Sequence, residues 1–85
     1  MDLVFAPRAW EEYLYWQRAD AQIVARIHEL LKDIKRNPYG GIGKPEPLRH
    51  GAQGYWSRRI TAEHRLVYKR VGNQIWIAQL RYHYR

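Results

Sequence analysis

The sequence predicts an α+β domain, a strand and two helices followed by an antiparallel meander. Three observations predict it. Between residues 7 and 36 apolar residues recur at helical spacing, and after residue 54 come strand-like runs separated by short polar breaks. The chain is also only 85 residues long, and so short a chain buries about 60% of its unfolded surface, enough for one core and one domain over 1–85.

Each element follows from its residues. Asp2-Leu3-Val4-Phe5 reads as a short strand, and Pro7 suits the first turn of a helix, where its missing N–H is no loss. Trp10, Tyr13, Leu14 and Gln17 then fall at helical spacing, which predicts a helix from Pro7 to Arg18. Asp20 can cap a second helix, in which Ile23, Ile27, Leu30, Leu31 and Ile34 form an apolar stripe and Arg26, Glu29, Lys32, Asp33 and Lys35 are left for solvent. Asn37-Pro38 ends it, because the residue before proline avoids helical angles. Residues 38–54 carry three of the four prolines and five of the six glycines. A long shaped loop of this kind, with Pro45 and Pro47 on either side of Glu46, restricts and presents a carboxylate. The meander is predicted as Tyr55 to Ile60, Arg65 to Val71 and Ile75 to Arg81.

Composition narrows the function. Fifteen Lys and Arg against eight Asp and Glu give a net charge of +7, which favours a phosphate-bearing partner, with acidic proteins and anionic lipid surfaces as alternatives. The absence of cysteine excludes disulfides, thiolate zinc sites and thiol nucleophiles. His50 and His64 lack partners at metal-ligand spacing, and His28 reads as structural, so neither a metal nor a cofactor is expected. The opening residues are too briefly apolar for a signal or a membrane span, and the expected location is the cytoplasm with no membrane partner. Of the four Trp, Trp10, Trp56 and Trp76 are expected in the core, and Trp16 on a partner surface.

Strand register groups the polar residues. A two-residue turn at Gly72-Asn73 would set Arg65 against Leu80 and mix polar with apolar residues on both faces. A three-residue loop at Gly72 to Gln74 would pair Leu66 with Leu80, Tyr68 with Ala78, Val67 with Gln79 and Arg65 with Arg81, separating core from surface. It would also put His83 on the face of Arg65 and Arg81. An odd preceding loop would add Arg59, beside Val67, to that face, and Ile60, beside Leu66, to the core. Arg58 fits this scheme badly.

Such a face suits metal-free RNA cleavage, which needs a base for the 2'-hydroxyl, a cation for the phosphorane-like transition state and an acid for the leaving 5'-oxygen. Glu46, Arg65 and His83 could fill these roles in that order, with Lys44 and Arg49 near Glu46 to keep it ionised. Tyr82 and Tyr84 flank the histidine and could stack on an unpaired base. Lys44, Arg49, Arg59 and Arg81 are the cations expected to meet RNA phosphates. Taken singly, each residue has a plainer reading: a terminal histidine is more often a surface residue, and Arg58, Arg59, Arg65, Arg81 and Arg85 could simply solvate a sheet face.

Together these residues resemble a known family. The run Lys44-Pro45-Glu46-Pro47-Leu48, the segments Gly54 to Ile60 and Glu63 to Tyr68, the ending Arg81-Tyr82-His83-Tyr84, and Tyr13 to Gln17 in the first helix resemble the YoeB/Txe toxins of the RelE/ParE superfamily. The likeness covers essentially the whole chain; an extra Arg85 is its visible departure. It implies a RelE-like microbial ribonuclease fold, two N-terminal helices on a twisted antiparallel sheet, and a ribosome-dependent endonuclease that cuts messenger RNA in the decoding site. The family's catalytic residues match Glu46, Arg65, His83 and Tyr84. The resemblance also implies a YefM/Phd-like antitoxin partner and admits a homodimer. Two other classes stand beside the enzyme: a non-catalytic basic RNA- or ribosome-binding module, and a gyrase-binding toxin of the ParE type.

Overall fold

The computed structural model describes residues 1–49 and 54–83. In chain order its elements are β1 (Asp2–Phe5), α1 (Pro7–Ala19), α2 (Ala21–Arg36), β2 (Glu46–Pro47), β3 (Tyr55–Arg59), β4 (Arg65–Val71) and β5 (Gln74–Gln79). Pro7 opens α1 with no side-chain cap before it. Asp20 separates the helices: its carboxylate accepts from the backbone N–H groups of Gln22 and Ile23 at 3.0 and 3.3 Å, two of the donors that a helix start leaves unpaired. Asn37, ahead of Pro38, closes α2 as expected.

The sheet order is β1-β5-β4-β3-β2. The meander β3-β4-β5 is antiparallel, β2 extends it, and β1 joins β5 in parallel, so the sheet is mixed. Ile27, Leu30, Leu31 and Ile34 of α2 and Ala9 and Trp16 of α1 form the core with Leu66, Tyr68, Ile75, Ile77 and Leu80 of the sheet side. The helices lie on that side, so the opposite face is open in the sense of carrying no helix among the described residues; its Ser57, Val67 and Gln79 are themselves buried.

Two expectations about register are corrected. The turn between β4 and β5 has two residues, since Val71 pairs with Gln74, and Tyr68 lies opposite Ile77 rather than Ala78. A bulge then shifts the register, so that Val67 meets Gln79. The extra residue, Ala78, reconciles the short turn with core segregation: it places Ile75 and Ile77 before the bulge, and Leu80 after it, all on the buried side. At the other hairpin Arg59 lies opposite Arg65, not Val67. The five-residue loop is odd, so Arg59 still shares the face of Arg65.

Trp56 packs against the core as expected, but the other three tryptophans reverse their expected places. Trp16 is buried, whereas Trp10 and Trp76 are 46% and 41% exposed. Helical spacing marks a face without saying how much of it the sheet covers. Trp16 reaches past the end of the sheet, where its indole N–H donates to the carbonyl of Leu80 at 2.9 Å.

Arg58 is also reassigned. It alternates onto the core side of β3 and has no exposed surface. Its guanidinium donates to Asp33, to the carbonyls of Asn37, Gly40 and Ile42, and to the Tyr68 hydroxyl. A buried charge is tolerated only with such saturation. The loop from Asn37 to Gly43 is therefore wrapped around a guanidinium. Gly43 completes the wrap: its φ is +78°, and a Cβ there would lie 2.7 Å from Leu30 Cδ2. Its carbonyl accepts from Arg59 N–H at 2.7 Å, which delivers the chain to β2.

Candidate active site

The open face carries one cross-strand row: Glu46 on β2 opposite Ser57 on β3, Ser57 opposite Val67 on β4, and Val67 opposite Gln79 on β5. Directly opposed residues project to the same side. Arg65, two residues before Val67, projects there too. Its Nε donates to Ser57 Oγ at 3.0 Å, and its Nη2 lies 3.1 Å from Glu46 Oε1. The guanidinium side chain is 14% exposed and the glutamate 63%. Ser57 thus holds the mostly buried cation, while the carboxylate stands in solvent.

The Arg65–Glu46 contact is close without being a well-directed hydrogen bond, and Nη2 has no in-line acceptor among the described residues. That nitrogen is itself buried. The cation paired with Glu46 among the described residues is Arg65, rather than the expected Lys44 or Arg49. Both of those side chains are exposed, as is Arg59.

Beyond Gln79 the chain leaves the sheet, and side chains replace strand partners. The backbone N–H of Leu80 donates to Glu12 Oε1 at 2.8 Å and its carbonyl accepts from Trp16 Nε1, so two α1 residues one turn apart hold one residue of the tail. Gln79 Nε2 lies within hydrogen-bond distance of the carbonyls of Arg81, Tyr82 and His83, at 2.8, 3.2 and 3.0 Å. Since Gln79 projects onto the open face, this ties the backbone of His83 to the row containing Glu46; the His83 side chain is exposed. Arg65 N–H donates to the Tyr82 carbonyl at 3.0 Å.

Arg81 goes elsewhere. The predicted strand through Arg81 ends at Gln79, and Arg65 bonds Tyr82 instead of pairing with Arg81. The Arg81 guanidinium lies 3.8 Å from the centre of the Tyr15 ring and also meets the Trp16 and Tyr82 rings. It braces the tail against α1 by cation–π contact. His28 accepts or donates through Nε2 to the Tyr13 hydroxyl at 2.7 Å, a structural contact as expected. Tyr84, Arg85 and His50 lie outside the described residues. Among the described residues no three acidic or histidine side chains gather as a metal site would require.

The sequence reading missed Ser57, Gln79, His64, Glu12 and Trp16 as supports of this face. Gln79 did carry a signal, since its expected pairing with Val67 already puts it on that face. The roles of Glu12 and Trp16 depend on where β5 ends, which no spacing shows.

The model of the YoeB-like toxins of bacterial type II toxin-antitoxin systems matches residues 5–84. The chain belongs to that family. It is 54% identical to the toxin YoeB of Escherichia coli K12 over 84 residues, 99% of this chain and 100% of the relative. A YoeB/ParE toxin from Agrobacterium tumefaciens superposes with a TM-score of 0.94 at 49% identity, over 99% of this chain and 100% of that one. A Staphylococcus aureus YoeB solved as a dimer gives 0.93 at 50% identity, over 99% and 98%. The same species' YoeB in a heterotetrameric complex with YefM gives 0.91 at 50% identity, with the same coverage. The two-helix, mixed-sheet architecture is thus that of this toxin family.

Proposed function

We propose that this YoeB-like toxin is a ribosome-dependent messenger-RNA endonuclease working by general acid-base catalysis. The observation that carries the reading is the Arg65 cluster: a mostly buried cation, bonded to Ser57, set against an exposed carboxylate on the helix-free face of a basic protein. Glu46 takes the proton of a 2'-hydroxyl as the 2'-oxygen attacks the adjacent phosphorus. The bond from phosphorus to the 5'-oxygen breaks, and His83 gives that oxygen its proton. The products are a cyclic 2',3'-phosphate and a 5'-hydroxyl. Arg65 stays charged throughout and meets the negative charge that builds on the non-bridging oxygens. The same guanidinium disfavours a divalent cation at Glu46, which supports a mechanism carried by side chains.

Tyr84 is proposed to complete the site by stacking or proton support. Lys44, Arg49 and Arg59, all exposed, would hold RNA phosphates, and Arg81 would act mainly through the tail. The partner is proposed to be a YefM-like antitoxin, as in the Staphylococcus aureus relative, with a homodimer as the free form; the net charge of +7 suits an acidic partner.

The test is primer extension on messages translated in a reconstituted system. Glu46→Gln and His83→Gln should each cut about a hundredfold more slowly, the usual scale for loss of a general base or acid, while still sedimenting with ribosomes. Parental cutting by both variants would defeat the assignment. Stalling on full-length RNA by the unsubstituted protein would indicate a binder without catalysis.

A further inference from the structure

His64 takes no part in the chemistry proposed above, yet it is 7% exposed and meets the tail directly. Its Nδ1 accepts from the backbone N–H of Tyr82 at 2.8 Å. A backbone amide can only donate, so Nδ1 carries no proton and the ring proton sits on Nε2, 3.3 Å from the exposed Glu63 carboxylate. The ring is held edge-to-face by Trp16 at 4.8 Å and meets Tyr82 at 5.6 Å. Arg81 lies over both of those rings.

Two consecutive residues therefore grip both polar groups of one peptide segment: the His64 ring takes the Tyr82 N–H, and the Arg65 N–H takes the Tyr82 carbonyl. Tyr82 has a φ of +64°, a left-handed conformation that non-glycine residues hold only when their surroundings enforce it. His83 is the next residue, and Arg65 is the cation of the candidate site. We propose that His64 is a positioning residue which, through unprotonated Nδ1, enforces the turn at Tyr82 and so sets His83 in register with Arg65. The proposal rests on the reading of His83 as the acid. It assigns to a buried histidine a function that neither metal binding nor simple packing requires.

The contrast between two amides tests it. The oxygen of Asn can occupy the place of Nδ1, whereas Gln reaches toward Nε2, and both remove the ring contacts with Trp16 equally. His64→Asn should keep the slow hydrogen exchange of the Tyr82 amide and a cleavage rate within about threefold of the parent. His64→Gln should lose about tenfold in both, the factor expected for one hydrogen bond, with ribosome affinity unchanged. Equal losses in the two variants, no loss in His64→Gln, or faster exchange without slower cutting would each overturn the proposal. In the unsubstituted protein, nitrogen-15 spectra should show an imine-type Nδ1 and a protonated Nε2; the opposite tautomer would overturn it without any substitution. A His83→Gln control that cuts at the parental rate would defeat the acid assignment, while the exchange contrast and the tautomer still decide whether His64 anchors the tail.

Discussion

Replacing Arg58 by methionine should be the most damaging single change away from the open face. Methionine fills much of the same volume but leaves the Asp33 carboxylate, the carbonyls of Asn37, Gly40 and Ile42 and the Tyr68 hydroxyl without their shared donor. Breaking a buried pair by deleting one partner costs about 3–5 kcal/mol. Asp33 keeps Arg36 at 2.9 Å and is 15% exposed, which lowers the figure; the stranded carbonyls raise it again. A loss of about 4 kcal/mol follows. That is a large part of the roughly 4–13 kcal/mol available to a chain of this length. At about 4–8 °C per kcal/mol the melting temperature should fall by roughly 15–30 °C. Urea unfolding followed by circular dichroism measures the change, with an unchanged denaturant slope showing that the native state is otherwise preserved. A loss below about 1 kcal/mol would refute the reasoning, because the buried guanidinium would then cost as much in desolvation as its partners return.

One further outcome comes from the same contacts, and a second from the tryptophans. The Arg58 hydrogen bond holds the Asp33 carboxyl at about 2, below its ordinary 3.8, with Arg36 and the Ile42 N–H assisting against the opposing effect of burial. The folded state therefore favours the ionised form: its contribution of about 2 kcal/mol is complete above pH 4 or so and disappears as pH falls toward 2. Asp33→Asn should flatten stability over that acid window, and an unchanged acid slope would contradict the pairing. Among the tryptophans, Trp16→Phe should cost about 2–3 kcal/mol through lost volume and the lost bond to Leu80, whereas Trp76→Phe should cost less than about 1. The reverse order in unfolding experiments would show that the tail is not held from α1.

Much of the site was legible because its parts obey local rules. Pro45 and Pro47 mark Glu46 as presented, and alternation places Arg59 and Arg65 on one face for any odd loop between their strands. Core segregation confined to the turn predicts three residues there, whereas a bulge at Ala78 meets the same requirement without leaving a local mark. Arg58 resisted the surface scheme for a physical reason: a charge on the core side of a strand makes sense only when loop carbonyls distant in sequence converge on it.

The sequence by itself determined the order of the helices and of the meander strands and both helix boundaries near Asp20 and Asn37, while it read the β2 segment at Glu46–Pro47 as loop. These depend on backbone preferences and periodicity within a few residues. Tertiary structure decided which tryptophan is covered, where β5 ends, and how the tail returns to Arg65. Those depend on Glu12, Trp16, His64 and Gln79 satisfying backbone groups that the sheet leaves unpaired, and a donor's partner across 68 residues is chosen by packing, not by spacing.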